Sequence, residues 1–144
     1  MPDRARRRDA GTVLLLMPAA VLIVIILGAI AVDAAVAFTA QRNLVAAAGD
    51  ASNDASEVGL DRGALLGQGE VRLDRRSVAA TILRVLHRDG IDDATVEDVA
   101  ITTDGRSASV RLRRTVRLVF APIVPGVSHT ATVRATVRVT ALSS

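Results

Sequence analysis

The chain has 144 residues, half of them hydrophobic, and a formal net charge of +3. It contains no cysteine, which excludes disulfides and thiolate metal sites, and its two aromatic residues, Phe38 and Phe120, are too few for a base-stacking nucleic-acid surface. Charge is uneven along the chain: residues 50–104 carry twelve acids and six Arg, whereas residues 105–144 carry seven Arg and no acid.

The N-terminus has the charge pattern of a single-pass membrane anchor. Residues 1–10 carry four Arg and two Asp and are predicted to form a basic cytoplasmic tail. Residues 11–32 contain no charge, and as a helix they extend about 33 Å, enough to cross the ~30 Å hydrocarbon core of a membrane. The positive-inside rule then places the N-terminus in the cytoplasm and the rest of the chain outside.

Two other interpretations of residues 11–32 stay open. A cleaved secretory signal also begins with a basic tail and an apolar segment, and cleavage after Ala31 or Ala35 is compatible with the small residues there. The apolar run is, however, longer than the roughly 7–15 residues of a signal peptide. A buried helix of a soluble protein is disfavoured because the rest of the chain is too short to surround it.

Helical character continues beyond the predicted span. Residues 33–56 are rich in Ala, the strongest helix former, and contain no Pro. We therefore predict one helix from about residue 13 to about residue 48 or 55, with residues 33–56 as a stalk and with Pro18 and Gly49 as weak points. The candidate positions for packing against another helix are Gly28, Ala31, Asp33, Ala35, Phe38 and Arg42.

Asp33, at the outer end of the span, has two interpretations. A charge at the membrane edge is most simply a hydrated interfacial residue. The alternative is an assembly contact, for instance with Arg42 of a neighbouring copy.

The order of features in the first third of the chain resembles a known family. After an Arg-rich start come Ala10-Gly11-Thr12-Val13, Pro18 in the apolar run, Val32-Asp33, Gln41-Arg42-Asn43-Leu44 and an Ala-rich segment ending at Asp50. This order is similar to the N-terminal region of the Flp pilus-assembly TadE/TadG-like family of bacteria. The resemblance implies a non-enzymatic protein of the bacterial cytoplasmic membrane, whose helix contacts lipid, other pilus or secretion-apparatus proteins, or copies of itself.

One position departs from the pattern of processed pilins. Substrates of prepilin peptidase usually have Gly at the cleavage point and Glu five residues later. Counted from Gly11, that place is held by Leu16. The resemblance therefore extends to a minor or pseudopilin-like component and not to a processed major pilin.

Beyond the stalk, the sequence predicts a linker and a small extracytoplasmic domain. Residues 57–74 contain four Gly and are predicted as the linker, and residues 75–144 as the domain. Asp74 or Ser77 is expected to cap a helix that ends near Asp89-Gly90, with its apolar side chains on one stripe. Strands follow over residues 95–102, 107–120 and 128–141, the first two joined at Asp104-Gly105. The predicted class is α+β, with the long N-terminal helix followed by one helix packed on a three-stranded antiparallel sheet.

Period-2 alternation in the last two strands separates an apolar face from an Arg-rich face. Arg114 interrupts the apolar face and is placed at its edge. The Arg-rich face is interpreted either as a solvated surface that prevents edge pairing, or as a binding face for anionic lipid, an anionic wall polymer or the acidic segment of another copy. Its predicted members are Arg111, Arg113, Arg117, Arg134 and Arg138.

No pattern in the sequence indicates catalysis. Ser77 and His87 lie ten residues apart on one predicted helix and cannot meet, and His87 and His129 have no third candidate ligand. We therefore predict no catalytic residue, metal, cofactor or small-molecule substrate, and no nucleic-acid partner for a domain outside the cytoplasm. Three hypotheses remain: an assembly component, an anchored binding module, and an exported soluble domain released by signal cleavage.

Overall fold

The computed structural model describes residues 5–58 and 72–141, and the side chains of residues 16–57 and 72–141. Most of the predicted linker lies outside the described residues. The described elements are helix α1 (Ala5–Val58), helix α2 (Arg75–Arg88), strand β1 (Ala94–Ile101), strand β2 (Ser107–Arg117), a 3-10 turn (Ala121–Ile123) and strand β3 (Thr130–Thr140). The predicted α+β class is confirmed.

Helix α1 is continuous through both predicted weak points, Pro18 and Gly49. It is long and apolar enough to cross a membrane, and among the described residues it is the one helix of this kind. None of the described side chains from Leu16 to Val32 is buried. This part of α1 is therefore not the core helix of a soluble protein.

The outer half of α1 belongs to the core of the domain. It packs against β3 and α2, and Leu44 at its centre is 0% exposed. Residues 33–56 are thus not a free stalk, because their small side chains allow the helix to approach the sheet closely. The buried residues on this face are Ala40, Leu44, Ala47, Ala48, Ala51 and Ala55.

Helix α2 begins and ends as its capping residues predict. The Asp74 carboxylate accepts a 2.8 Å hydrogen bond from the Ser77 N–H, and this bond is the main reason that the pKa of Asp74 is lowered. At the other end Gly90 has a φ of +74°, and the Ile91 N–H bonds to the Leu86 carbonyl at 2.8 Å. This left-handed glycine ends the helix and reverses the chain toward β1.

The sheet is the predicted antiparallel meander, in the order β1-β2-β3. Its apolar face is covered by α1 on the β3 side and by α2 on the β1 side. Strand β2 ends at Arg117, so Leu118 and Phe120 lie in the following loop and not on the strand as predicted. The largest fully buried side chains of the sheet are Leu112, Val110 and Val139.

Arg114 lies at the edge of the apolar face, as predicted. Its side chain is 20% exposed, and its Nε is 2.8 Å from Asp93 Oδ1. The Nε atom is buried and has no hydrogen-bond partner, so its contact with Asp93 is an ion pair.

The packing of α1 into the core predicts a large difference between two neighbouring residues. Leu44→Ala removes a fully buried side chain and is expected to lower the free energy of unfolding by about 2–5 kcal/mol. Val45→Ala changes a side chain that is 52% exposed and serves as the control, with an expected change within about 0.5 kcal/mol. Denaturant unfolding of the detergent-solubilised full chain measures both. Equal effects would show that the outer half of α1 does not support the domain.

Candidate functional site

The junction between α1 and the domain is organised around Asp33. The loop after β2 returns to α1, and its backbone donates three hydrogen bonds to the Asp33 carboxylate. The N–H groups of Val119 and Phe120 reach Oδ1 at 2.6 and 3.0 Å, and that of Ala121 reaches Oδ2 at 2.8 Å. Ala121 begins the 3-10 turn, so the carboxylate accepts from backbone donors that the turn itself leaves unpaired.

The charge of Asp33 is stabilised by this geometry. Desolvation of the carboxyl acts to raise its pKa, but the hydrogen bonds from Phe120, Val119 and Ala121 outweigh it and lower the pKa. Both oxygens of Asp33 thus bind its own chain. The sequence did not predict this role of Asp33, and a contact with a neighbour's Arg42 stays a prediction. The partner lies 86–88 residues away, and no local sequence pattern indicated it.

Two further side chains of α1 fasten the helix along the outer edge of β3. The Gln41 amide donates from Nε2 to the Arg134 carbonyl at 2.6 Å and accepts from the Arg134 N–H at 3.2 Å. Ser52 Oγ donates to the Arg138 carbonyl at 2.6 Å. Because β3 is the edge strand of the sheet formed by the described residues, these bonds satisfy backbone groups that it would otherwise offer to another chain.

The opposite side of α1 is free. At 3.6 residues per turn, five of the six predicted packing positions lie within about 40° of the direction opposite Asp33. All five are exposed, and the Phe38 side chain, the largest apolar one among them, is 63% exposed. The Arg42 guanidinium lies 5.9 Å from the centre of its ring, within cation–π range. We call this set the free face of α1: Gly28, Ala31, Ala35, Phe38 and Arg42.

The five predicted Arg residues of the sheet are all exposed, on the face away from the helices. Arg113 and Arg134 are cross-strand neighbours, and their Nε atoms lie 3.5 and 3.6 Å from Glu97 Oε1. Glu97 reaches them from a β-bulge between Val96 and Asp98, a feature that the sequence pattern did not show.

The other three members of this face have no partner of opposite charge among the described residues. Within residues 5–58 and 72–141, they form no ion pair. Glu97 therefore compensates only part of the positive charge of this face. These residues are Arg111, Arg117 and Arg138.

The described residues show no arrangement for metal binding: no three His, Asp or Glu side chains converge. His87 contacts Asp92 on the surface, and Ser77 is engaged at the cap of α2.

No family model, curated protein or solved structure matches this chain. The resemblance of its N-terminal region to the pilus-assembly family therefore stays a prediction, and the functional inference depends on the geometry of α1 and the sheet.

The three hydrogen bonds to Asp33 predict a local effect on the loop. Asp33→Ala leaves the N–H groups of Val119, Phe120 and Ala121 without their acceptor, so their protection from hydrogen exchange should be lost while that of β2 and β3 persists. Asp50→Ala, at an exposed position on the same helix, is the matched control. Unchanged exchange at residues 119–121 in Asp33→Ala would contradict the assignment of Asp33 as their acceptor.

Proposed function

We propose that this chain is a non-enzymatic single-pass protein of the bacterial cytoplasmic membrane that assembles through the free face of α1, as a component of a pilus or secretion apparatus. The observation that carries the proposal is the exposure of Phe38 beyond the predicted span, on the side opposite the domain. Val45, exposed at the border of the same side, adds to this apolar surface. Burial of one such side chain against a neighbouring helix contributes about 1.5–3 kcal/mol.

The composition of the free face suits helix packing. Gly28, Ala31 and Ala35 are small, and small residues let two helix backbones approach closely within a membrane. A Cβ added at Gly28 meets no atom within 4 Å in the chain itself. The domain is fastened to the other side of α1, so a neighbouring helix approaches this side without meeting the chain's own sheet.

Retention of the N-terminal segment is part of the proposal. Cleavage after Ala35 would remove Asp33, the acceptor of three hydrogen bonds from the domain. The Arg-rich start of the chain supports the orientation with the N-terminus inside and the domain outside. The Asp33 contact therefore disfavours cleavage after Ala35, whereas cleavage after Ala31 would retain Asp33 and is tested by the intact mass below.

Photocrosslinking in native membranes tests the assembly. A photoreactive residue at Ala35 or Phe38 is expected to give adducts with neighbouring proteins or with a second copy, because both positions lie on the free face. The same residue at Asn43, which is exposed on the flank of α1, is the control. Phe38→Ala should lower the yield from Ala35 several-fold.

Equal yields from Ala35 and Asn43 would contradict packing through the free face. The intact mass of the same membrane preparation tests the anchor, since residues 1–40 should be retained. A mature chain that begins near Ala34 would eliminate the anchored assembly and favour an exported soluble domain.

A second candidate function is an anchored binding module for an anionic partner. The observation that favours it is the group of three Arg residues without an ion pair on the outer sheet face. A polymer of repeated negative charges, such as an anionic wall polymer, would contact several guanidinium groups at once. Binding of this kind depends strongly on ionic strength.

Charge reversal tests the Arg face. The double variant Arg111→Glu and Arg138→Glu is expected to weaken binding of a soluble polyglutamate to the detergent-solubilised full chain by about tenfold, because it replaces two unpaired cations by anions. Arg84→Glu, on the exposed side of α2, is the control for a charge change away from the face. An equal loss in both variants, or none in the double variant, would eliminate the Arg face as the binding surface.

A further inference from the structure

The loop between β2 and β3 is apolar and exposed. From residue 118 to residue 127 it contains no charged residue. Ile123, at its tip, is 74% exposed, more than any other large hydrophobic side chain that the structure describes. In water such a cluster is unfavourable, so its surroundings need explanation. The other exposed large apolar residues of the loop are Val119, Phe120, Val124 and Val127.

This loop binds Asp33 and extends from there along the outer end of the membrane-spanning part of α1. Together with α1 it borders an apolar groove, which on the helix side is lined by Ile25, Ile26, Ala29 and Ile30. Ile25 lies eight positions before Asp33, and at 1.5 Å per residue the groove reaches about 12 Å below Asp33 along the helix axis. If residues 11–32 span the membrane, the loop is at the depth of the acyl chains of the outer leaflet.

The loop pairs most of its backbone N–H groups within the chain. Lipid offers no partner for an unpaired N–H, so a segment at this depth has to satisfy its donors internally. In residues 118–127 two positions are Pro, which has no N–H. Seven of the eight N–H groups bond within the chain, and the eighth, that of Gly126, forms no hydrogen bond with the described residues; the seven belong to Leu118, Val119, Phe120, Ala121, Ile123, Val124 and Val127.

We propose that the loop of residues 118–127 is embedded in the outer leaflet as a second membrane contact, with lipid acyl chains filling the groove between it and α1. Arg117, just before the loop, borders the same open cleft as Val32 and Val36 at the outer end of the span. This position suits a cation at the level of the phosphate headgroups. The groove faces the side of Asp33, opposite the free face of α1, so its occupant is lipid and not the helix of an assembled neighbour.

The inference rests on the proposed membrane span and is independent of assembly. Its consequence is that the domain does not stand away from the membrane on a stalk. It lies against the outer leaflet, held by α1 on one side and by the loop at its base.

Spin-label accessibility in liposomes of phosphatidylcholine and phosphatidylglycerol tests the proposal on the full chain. The chain has no cysteine, so single labels can be introduced as Ile123→Cys, Leu27→Cys in the span and Thr136→Cys on the outer sheet face. Ile123→Cys and Leu27→Cys should collide several-fold more with oxygen, which concentrates in lipid, than with a water-soluble nickel chelate. Thr136→Cys should show the reverse.

The three labels distinguish a failure of the loop proposal from a failure of the proposed membrane span. Chelate contact at Ile123→Cys equal to that at Thr136→Cys, with Leu27→Cys in lipid, would overturn the loop proposal and leave the span intact. Chelate contact at Leu27→Cys would overturn the span and the loop proposal together. Shielding of Ile123→Cys from both reagents, with spin–spin broadening, would assign the groove to a second copy and also overturn it. Val127→Cys repeats the loop measurement at an independent position.

Discussion

The position of the domain depends on one carboxylate. Asp33 stands one residue beyond the predicted span and binds three consecutive N–H groups of a loop far along the chain. A charged acceptor forms stronger hydrogen bonds than a neutral one, and here it caps the start of a 3-10 turn whose own N-cap residue, Phe120, forms no side-chain capping bond. Because α1 continues as one helix from the span into the core, this contact and those of Gln41 and Ser52 hold the domain at a fixed height. An anchor on a flexible tether would leave both height and orientation undefined.

The Ala-rich part of α1 contributes small side chains to two surfaces on opposite sides of the helix. On the side of Asp33 its small side chains allow close packing on the sheet, where Leu44 is the largest buried contact of the helix. On the opposite side Ala31 and Ala35 remain exposed and form, with Phe38, a surface that another helix can approach. Besides favouring helix formation, Ala determines how closely the helix backbone can approach the sheet on one side and a neighbouring helix on the other.

Local sequence patterns predict the elements well and their long-range contacts poorly. Asp74 and Gly90 define α2 because capping depends on residues within one turn, and alternation in β3 identifies its buried face because the period is local. The docking of α1 was missed because an Ala-rich helix has the same pattern whether its small residues face solvent or a sheet. The partner of Asp33 and the place of Glu97 between Arg113 and Arg134 depend on contacts between distant parts of the chain and on a β-bulge, and neither leaves a signature near the residue concerned.

The arrangement of the surfaces determines how the proposed functions combine. The free face of α1 and the Arg face of the sheet lie on opposite sides of the chain, with the apolar layer of the domain between them. Copies that pack through α1 would therefore place their helices at the centre and their Arg faces outward. The Arg111 and Arg138 side chains of different copies would then be far apart, which limits repulsion between their charges. In such an assembly the Arg faces would remain open to an anionic partner from outside. The loop at the base of the domain adds a constraint, because lipid has to remain beside α1 on the side of Asp33. Such copies can share helix contacts on one side of α1 only, and this favours a small cluster over a closely packed helical core.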